Sequence, residues 1–503
     1  MENYGGISLE AYGKADNGFN SASANDVAEL NKALEAGDQR GGEVDGSLTA
    51  SGAPLKVESL EKTLKVITFS QKNIVLWKQT PILPAYNTVE EYNRLVSYGS
   101  EQGGFNNEGE LPEEDDSVYQ RNSQLVKYIG NTRMVTHPMT LVNTAHGAVI
   151  EREINNGTTW ILSKIERALL EANATIIPQE FNGIYKQLMD DFNTEIEYLD
   201  SDNVIDMRGY RVEEETLEEA SNVIIENFGF PTDIFWSPRA GSDFSKNFYP
   251  RQRTVTPVGE GGKVGSNITS FVSQAGTIPF NPSVFMKPKS AKTSTSPASS
   301  TKAPLAPTKD GSAPVAAVGA TVANNKFGAG DAGTYLWAVT ALNRYGESAL
   351  TILSTTPTSI VENGAGALKF AATPGTQPTT GYRIYRAPKG SSYSAGVTKF
   401  YPLFDISAAQ LVAGYNGGAA GVVQDLNRWL PDTSSALMFQ RDLDVYAFKQ
   451  LAPLMKMDLA LLSPAYRFMI LLYGTPIIYA PRKAVRIINI GSTANATTNA
   501  LIA

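Results

Sequence analysis

Two β-prone segments near the amino terminus, with an acidic stretch between them, constrain the fold more than any other feature. Tyr86 to Tyr98 and Val118 to Val142 both have the pattern of extended strands, which predicts a long antiparallel hairpin. An isolated two-stranded hairpin is only marginally stable in water. Because no partner strand lies nearby in sequence, we expect other protein to support this hairpin, and another subunit is one candidate.

The acidic stretch would form the tip of the hairpin. It has seven carboxylates and no lysine or arginine: Glu101, Glu108, Glu110, Glu113, Glu114, Asp115 and Asp116. A solvated loop is the simplest interpretation. Cation binding and acid–base chemistry are alternatives. An ion-pair partner for another subunit, which gives specificity more than affinity, is the better functional alternative.

The residues before the hairpin divide into two parts. Residues 1–54 are polar and rich in Gly, Ser and Asp, with one short helix signal that starts at Ser23 and stops at Gly37. This part buries too little apolar surface to fold alone, so it is either a disordered tail or an arm that orders on a neighbouring subunit. Leu64 to Leu83 is apolar and β-prone.

Helical spacing predicts a long helix over about residues 148–173. Its apolar stripe consists of Ile150, Ile154, Ile161, Ile165 and Leu169. Asn156–Gly157 lies inside this stretch and lowers helix propensity, which allows a kink or local irregularity there.

Two further helices are expected before residue 287. Thr216 to Glu219 has the pattern of a capping box, and Gly229 is the expected stop. The predicted inner face of that helix comprises Leu217, Ala220, Ile224 and Phe228. A β-like segment, Thr232 to Trp236, then leads to Ser237–Pro238, which is typical of a helix start.

The composition changes at Lys287. Residues 287–313 consist mainly of Lys, Pro, Ser, Thr and Ala, which predicts a linker or stalk. Short strands separated by turn residues follow and predict an all-β sandwich that ends near Asp432. The strand candidates are Tyr335 to Leu342, Gly381 to Arg386, Lys399 to Phe404 and Val422 to Gln424.

The last part of the chain returns to mixed helix and strand signals. Arg467 to Ala480 is typical of buried strands, and Arg482, Lys483 and Arg486 form a small basic cluster in the sequence. The first and last thirds therefore look like one α+β domain into which the sandwich is inserted.

Composition excludes several kinds of chemistry. The chain has no cysteine, so disulfides and thiolate metal sites are impossible, and its two histidines, His137 and His146, favour structural roles. A net charge of −8 argues against sequence-independent nucleic-acid binding but is compatible with a container for DNA. The amino terminus lacks the pattern of a secretory signal, and no apolar stretch is long enough to span a bilayer.

Three short motifs resemble ligand sites without their required context. The glycines of residues 328–333 match a dinucleotide pattern, yet a strand follows instead of a helix, which favours a turn. Gly262–Lys263 lacks the first glycine and the Ser or Thr of a phosphate loop. Asp200–Asp202 lacks the next oxygen ligand and the glycine of a calcium loop. We therefore predict no cofactor, metal or catalytic residue.

Several blocks of sequence resemble the major capsid proteins of large contractile-tailed phages. They are Leu76 to Tyr92, Lys127 to Thr140, Phe448 to Lys456, and Tyr473–Gly474 followed by Ala480 to Ile487. The order of parts resembles the Hong Kong 97-type capsid fold, which has an amino-terminal arm, an extended loop, a spine helix and two intermixed α+β domains. Tyr335 to Ser348 and Gly381 to Arg386 are similar to strands of fibronectin type III modules, which implies an inserted immunoglobulin-like sandwich.

The expected organisation has six parts. They are an arm (1–63), the extended-loop hairpin with its base (64–143), the spine helix and α+β core (144–286), a linker (287–313), the inserted sandwich (314–432) and the carboxy-terminal part of the core (433–503). The resemblance implies that the arm and the loop lie across neighbouring subunits.

The resemblance also implies the function. It predicts a structural, non-enzymatic major capsid protein that self-assembles into pentamers and hexamers of an icosahedral head enclosing double-stranded DNA. Assembly is expected in the host cytoplasm, without a membrane. Scaffold, portal and decoration proteins are candidate partners. The inserted sandwich would serve as a spacer or decoration, or as a weak glycan-binding module strengthened by many copies.

Two other functions stay open at this point. A secreted adhesin or glycan-active enzyme with a fibronectin-like module would require an export signal and a pair of catalytic carboxylates, and neither is apparent. An encapsulin-like nanocompartment of the same fold would more often lack an outer insertion.

Overall fold

The computed structural model describes residues 70–99, 105–111, 114–142, 147–189, 203–248, 268–311, 313–319, 322, 324–460 and 463–492. The predicted arm, His146 and the motifs at residues 200–202 and 262–263 lie outside the described residues. Within those residues, no helix combines the length and apolar character needed to cross a bilayer.

The described residues form a mixed α+β structure. The helices are α1 (Leu76–Gln79), α2 (His137–Leu141), α3 (Val149–Glu171), α4 (Ile184–Met189), α5 (Glu214–Glu226), α6 (Pro238–Phe248) and α7 (Ala408–Ala413).

The strands before residue 300 are β1 (Ile82–Pro84), β2 (Val89–Ser97), β3 (Val118–Leu125), β4 (Lys127–Thr136), β5 (Val204–Asp206), β6 (Asp233–Trp236), β7 (Ser270–Ser273) and β8 (Gly276–Pro282). Those from 300 to 430 are β9 (Thr308–Lys309), β10 (Val315–Val318), β11 (Gly333–Tyr335), β12 (Trp337–Asn343), β13 (Gly346–Glu347), β14 (Thr351–Ile352), β15 (Thr358–Ile360), β16 (Ala365–Ala371), β17 (Gly381–Arg386), β18 (Tyr401–Ser407) and β19 (Val422–Asp425). The last are β20 (Ser434–Phe439), β21 (Tyr446–Asp458), β22 (Ala465–Ile478) and β23 (Ala484–Ile490).

Two sheets combine strands from distant parts of the chain. A four-stranded sheet has the order β1-β21-β22-β4, and a six-stranded sheet has the order β5-β23-β20-β6-β8-β7. In the first sheet Tyr128 pairs with Tyr473, and their rings meet edge to face at 4.8 Å. The residues before 287 and those after 433 therefore share the same sheets, which we call the body.

Helix α3 confirms the predicted long helix. Ile161, Ile165 and Leu169 are fully buried in a core that also contains residues of β21 and β22. The helix continues unbroken through Asn156 and Gly157, although this pair lowers helix propensity. A Cβ on Gly157 would lie 2.6 Å from the Ile470 side chain. The glycine therefore lets the helix approach β22 closely.

Residues 70–79 depart from their β-prone pattern. They form a 3-10 turn and then α1. The cause lies on α3, where the fully buried Glu166 accepts hydrogen bonds from the backbone N–H groups of Val75 (3.1 Å), Leu76 (2.8 Å) and Trp77 (2.8 Å). A carboxylate at a helix start satisfies N–H groups that have no partner within the helix. A contact distant in sequence thus overrides local propensity.

The predicted hairpin is confirmed only in part. Strands β2 and β3 pair antiparallel, from Val89 opposite Leu125 to Ser97 opposite Val118. The second segment does not continue in this hairpin, because β4 pairs with β22 instead. Residues 137–141 are helical rather than extended.

The second predicted helix, α5, needs two corrections. It starts at Glu214 without a side-chain cap, so Thr216 does not begin it. Leu217, Ala220 and Ile224 are buried as expected, but Phe228 is 89% exposed at a φ of 59° beyond the helix end. That left-handed backbone turns the chain away before Phe228 can join the inner face. Strand β6 and the helix start at Pro238 are confirmed.

Residues 308–425, here called the β-region, contain the predicted strands. The main sheets have the orders β13-β12-β17-β18 and β10-β16-β19. Trp337, Leu368, Ile384 and Val423 contribute to one fully buried core between them. Beside it, Arg386 and Asp425 form a buried ion pair at 2.7 Å, and the Trp337 indole donates to Asp425 at 2.9 Å.

The segment that precedes the β-region lies against it. The Ser299 N–H donates to Glu347 O at 2.9 Å, and the Asn343 side chain donates to Lys302 O at 3.0 Å. The Thr351 hydroxyl donates to Pro307 O at 2.7 Å. The residues expected to be a linker therefore run along one edge of the β-region.

Two short sequence features, the glycine-rich residues 328–333 and the basic cluster near the carboxy terminus, can be compared with the structure. The glycine-rich residues 328–333 form a short 3-10 turn before β11, as predicted. The small basic cluster of the sequence is divided in the structure, because Arg482 is exposed whereas Arg486 is buried and stacks on the Tyr185 ring at 3.7 Å. Burial lowers the pKa of Arg486 to about 10.

Replacing Glu166 by alanine tests the contact that shapes residues 75–77. Glu166→Ala leaves three backbone N–H groups without an acceptor, so we expect the free energy of unfolding to fall by about 3 kcal/mol. Chemical denaturation measures this change. The exposed Glu151 on the same helix is the control, and Glu151→Ala should change stability by less than about 0.5 kcal/mol.

The difference in stability between wild type and Glu166→Ala should also depend on pH. Burial raises the pKa of Glu166 above its ordinary value of 4.5, although the three N–H groups and Lys78 lower it. A carboxyl with a raised folded-state pKa contributes stability that is complete below its unfolded pKa and is lost as pH rises through the folded value. The stability difference between wild type and Glu166→Ala should therefore shrink as pH rises above 4.5. A difference that grows with pH would contradict this account.

Candidate assembly surface

Strands β2 and β3, with the described residues between them, form a two-stranded ribbon. Its two faces differ because side chains alternate along each strand. One face carries Glu90, Tyr92 and Arg94 and contacts the body. The other face contacts nothing in the described part of the chain that would bury it.

The base of the ribbon is fixed by a buried carboxylate. Glu90 accepts hydrogen bonds from the N–H groups of Tyr86 (2.8 Å) and Asn87 (3.1 Å), and its other oxygen lies 3.9 Å from the Lys449 ammonium. The Ala85 N–H donates to Gln450 O at 2.9 Å. The chain therefore enters the ribbon in a fixed direction from the edge of the four-stranded sheet.

A second anchor lies further along β2. The Tyr92 ring meets Tyr479 edge to face at 5.2 Å, and the Arg94 guanidinium donates to Ile478 O. Burial raises the pKa of Tyr92, although the neighbouring Arg94 lowers it. Beyond Arg94 the ribbon projects from the body, because no later residue of β2 has such a contact in the described structure.

The outer face of the ribbon displays two cross-strand apolar pairs. Val89 lies opposite Leu125, and Leu95 lies opposite Tyr119. The exposed fractions of Leu95 and Tyr119 are 41% and 70%. Cross-strand apolar pairs stabilise a sheet when another layer covers them. None of the described residues provides such a covering layer, so this face is the candidate assembly surface.

The tip of the ribbon combines acidic and apolar residues. Glu108, Glu110, Glu114, Asp115 and Asp116 are exposed, whereas Glu101 and Glu113 lie outside the described residues. Phe105 and Leu111 are more than 90% exposed. In the described part of the chain, no group of three or more carboxylates or histidines is placed to hold a metal ion. The five acidic residues that the structure describes are therefore solvent-exposed, and their role in contacts between subunits stays a prediction.

The β-region is attached to the body by a polar network. Arg208, in the loop after β5, donates to Asn427 O at 2.8 Å and to Lys326 O at 2.6 Å. It also forms an ion pair with Asp331. Asn427 accepts a hydrogen bond from the buried Arg386 at 2.6 Å. The network therefore links the core of the β-region to the body.

Asn489 at the end of β23 completes this attachment. Its amide donates to Asp206 Oδ1 and to Arg428 O, both at 2.7 Å, and its carbonyl oxygen accepts the Leu430 N–H at 2.9 Å. Its φ of 55° is the left-handed conformation that asparagine tolerates. Local patterns in the sequence gave no signal for Asn489 or for Arg208.

Comparison with known proteins shows which proteins this chain is similar to. Residues 79–320 match the family model described as SU10 major capsid protein. The major capsid protein of Staphylococcus phage K is 24% identical over 451 residues, which cover 87% of this chain and 90% of that protein. The putative major capsid protein of Enterococcus phage phiEF24C is 24% identical over 450 residues, with the same shares covered.

Among solved structures, the comparison with the capsid of the cyanophage P-SCSP1u covers 88% of this chain and 96% of the cyanophage chain. The TM-score is 0.43 and the sequence identity is 8%. The assignment rests on the family model and the curated relatives. They place the chain among the capsid proteins of phages. It is a phage major capsid protein, and hence a component of the virion.

Replacing Arg208 tests the attachment of the β-region. Arg208→Ala removes its bonds to Asn427, Lys326 and Asp331, so the free energy of unfolding should fall by about 2 kcal/mol. Arg208→Lys should recover little, because an ammonium lacks the forked geometry of a guanidinium. Denaturant titration measures both. The exposed Arg344→Ala is the control, and an equal loss in that variant would contradict the assignment.

Proposed function

We propose that this capsid protein assembles with copies of itself into hexamers and pentamers, which close an icosahedral shell around double-stranded DNA. Closed point-group symmetry is the usual way in which identical subunits satisfy all their interfaces. The single observation that carries the proposal is the uncovered outer face of the ribbon. A face of this kind is stable when another subunit covers it.

The ribbon supports an interface between subunits on three grounds. It is held firmly at its base, it projects beyond Arg94, and its outer face exposes two apolar pairs on either side of the Glu91–Arg121 ion pair. Large apolar side chains that are exposed next to each other and flanked by polar residues are typical of an interaction site. We assign it the role of the extended loop of a Hong Kong 97-type fold, lying across a neighbouring subunit.

The six-part organisation belongs to the same proposal. The arm (1–63) would order on neighbours, α3 would be the spine helix, and the body would form the shell wall. The β-region, with its two main sheets around Trp337, would be an immunoglobulin-like insertion between the two halves of the body. It would serve as a spacer or surface decoration on the head.

The proposed role is structural rather than catalytic. The acidic tip is solvent-exposed, whereas catalytic carboxylates work in clefts that exclude water and shift their pKa values. We assign the tip to contacts between subunits. Scaffold, portal and decoration proteins are proposed as further partners during head assembly.

Polar substitution of the outer face tests the assembly role. Leu95→Gln with Tyr119→Gln removes one exposed apolar pair, so the critical concentration for shell formation should rise by about tenfold or more. The folded subunit should keep its melting temperature, because surface substitutions change stability little. Light scattering and electron microscopy measure assembly, and calorimetry measures the subunit.

The matched control changes an exposed apolar residue elsewhere. Val397 in the β-region is 70% exposed, and Val397→Gln should leave assembly unchanged. Shells that form from the double variant at the wild-type concentration would exclude the ribbon as an essential interface. A wild-type protein that stays monomeric at high concentration would overturn the proposed function itself.

A further inference from the structure

Charge is distributed unevenly along this chain. Residues 287–432 contain thirteen lysines and arginines but seven aspartates and glutamates, which gives a net charge of +6. The whole chain has a net charge of −8, so the other residues together carry −14. A segment of opposite sign to the rest of its own chain suggests an electrostatic partner.

Most acidic side chains of this segment form ion pairs within the protein. Asp425 pairs with Arg386 at 2.7 Å, and Asp405 pairs with Arg383 at 2.6 Å. Glu347 pairs with Lys292 at 3.1 Å, and Asp331 pairs with Arg208 of the body. These pairs leave the exposed surface of the segment rich in cations.

Four of the exposed cations follow one edge. They are Lys302, Lys309, Arg344 and Lys369, here called the basic edge. They lie where residues 299–309 run along the β-region, since Lys302 O accepts the Asn343 side chain and Lys309 pairs with Phe370, the residue after Lys369. None of the four forms an ion pair with a described residue. Asp310 also lies here, beside Lys309.

An exposed aromatic ring lies within the basic edge. Tyr345 is 41% exposed, the Lys302 ammonium lies 5.5 Å from its ring centroid, and the Arg344 guanidinium lies 4.5 Å from it. Two cations around an exposed ring suit a partner that brings both carboxylates and apolar side chains.

The acidic tip of the ribbon has this composition. Glu108, Glu114 and Asp116 are exposed beside Phe105 and Leu111, and residues 101–117 contain no cation. The tip and the basic edge are both solvent-exposed in the single chain. No ion pair between described residues joins them within one subunit.

We propose that the acidic tip of the ribbon of one subunit docks on the basic edge of a second copy. This inference rests on the proposed assembly function and specifies which surface receives the ribbon. Complementary charges at the rim of an interface accelerate encounter and set the register, while the exposed apolar pairs of the ribbon supply apolar surface to bury. Assembly should consequently slow as ionic strength rises.

A charge swap tests the docking. One variant reverses the edge with Lys302→Glu and Arg344→Glu, a second reverses the tip with Glu114→Lys and Asp116→Lys, and a third combines both pairs. At low salt each of the first two should raise the critical concentration for shell formation by about 3- to 10-fold. The combined variant should return to within about twofold of wild type, because its pairs are restored with opposite sign.

The controls separate docking from general charge effects. Lys72→Glu with Lys399→Glu makes the same change in net charge at exposed lysines outside the basic edge. This pair should leave the critical concentration unchanged, and calorimetry should show that every variant folds. Recovery of assembly by the combined variant alone would establish the contact.

Three results would overturn the proposal. The combined variant could assemble no better than either single reversal, or the control pair could be equally harmful. The edge reversal could instead leave assembly intact while abolishing retention on an immobilised anionic polysaccharide, which would assign the edge to an external ligand. Failure of wild type to assemble would overturn the proposed function and this inference together, whereas failed rescue in an assembling background overturns the inference alone.

Discussion

A two-stranded ribbon can cover only one of its faces with the body that carries it, and this constraint governs the rest of the structure. Here the inner face is held by Glu90, Tyr92 and Arg94, which fix the direction in which the ribbon leaves the sheet. The outer face keeps Leu95 and Tyr119 in water. The body holds the ribbon at a rigid base, and the exposed apolar side chains of the outer face favour association with another subunit.

The body can hold the base of the ribbon rigidly because its sheets join distant parts of the chain. Strand β4 follows the ribbon directly and pairs with β22, and β1 pairs with β21 on the other side of the same sheet. Glu166 ties residues 75–77 to α3, so the approach to the ribbon is also fixed. The β-region is joined by the Arg208 and Asn489 contacts, which make it part of the same folded unit.

The sequence predicts those helices and strands that depend on a local pattern of residues. Helical spacing of residues such as Ile161 predicts α3, and a short β-prone run between turn residues predicts β17. The predicted hairpin, Tyr86 to Tyr98 with Val118 to Val142, is correct as far as Leu125. The start of α1 was missed because it depends on a carboxylate ninety residues later in the chain. The partner of β4 and the anchoring role of Arg94 were missed for the same reason, since nothing near them in sequence indicates the contact.

Amide hydrogen exchange along the ribbon tests the central claim most directly. In the isolated subunit, the outward-projecting ends of β2 and β3 have few contacts, so their amides should exchange quickly. In assembled shells, we expect residues 95–97 and 118–121 to become strongly protected, while amides of α3 stay protected in both states. Equal protection of those ribbon amides before and after assembly would contradict the claim that a neighbouring subunit covers this face.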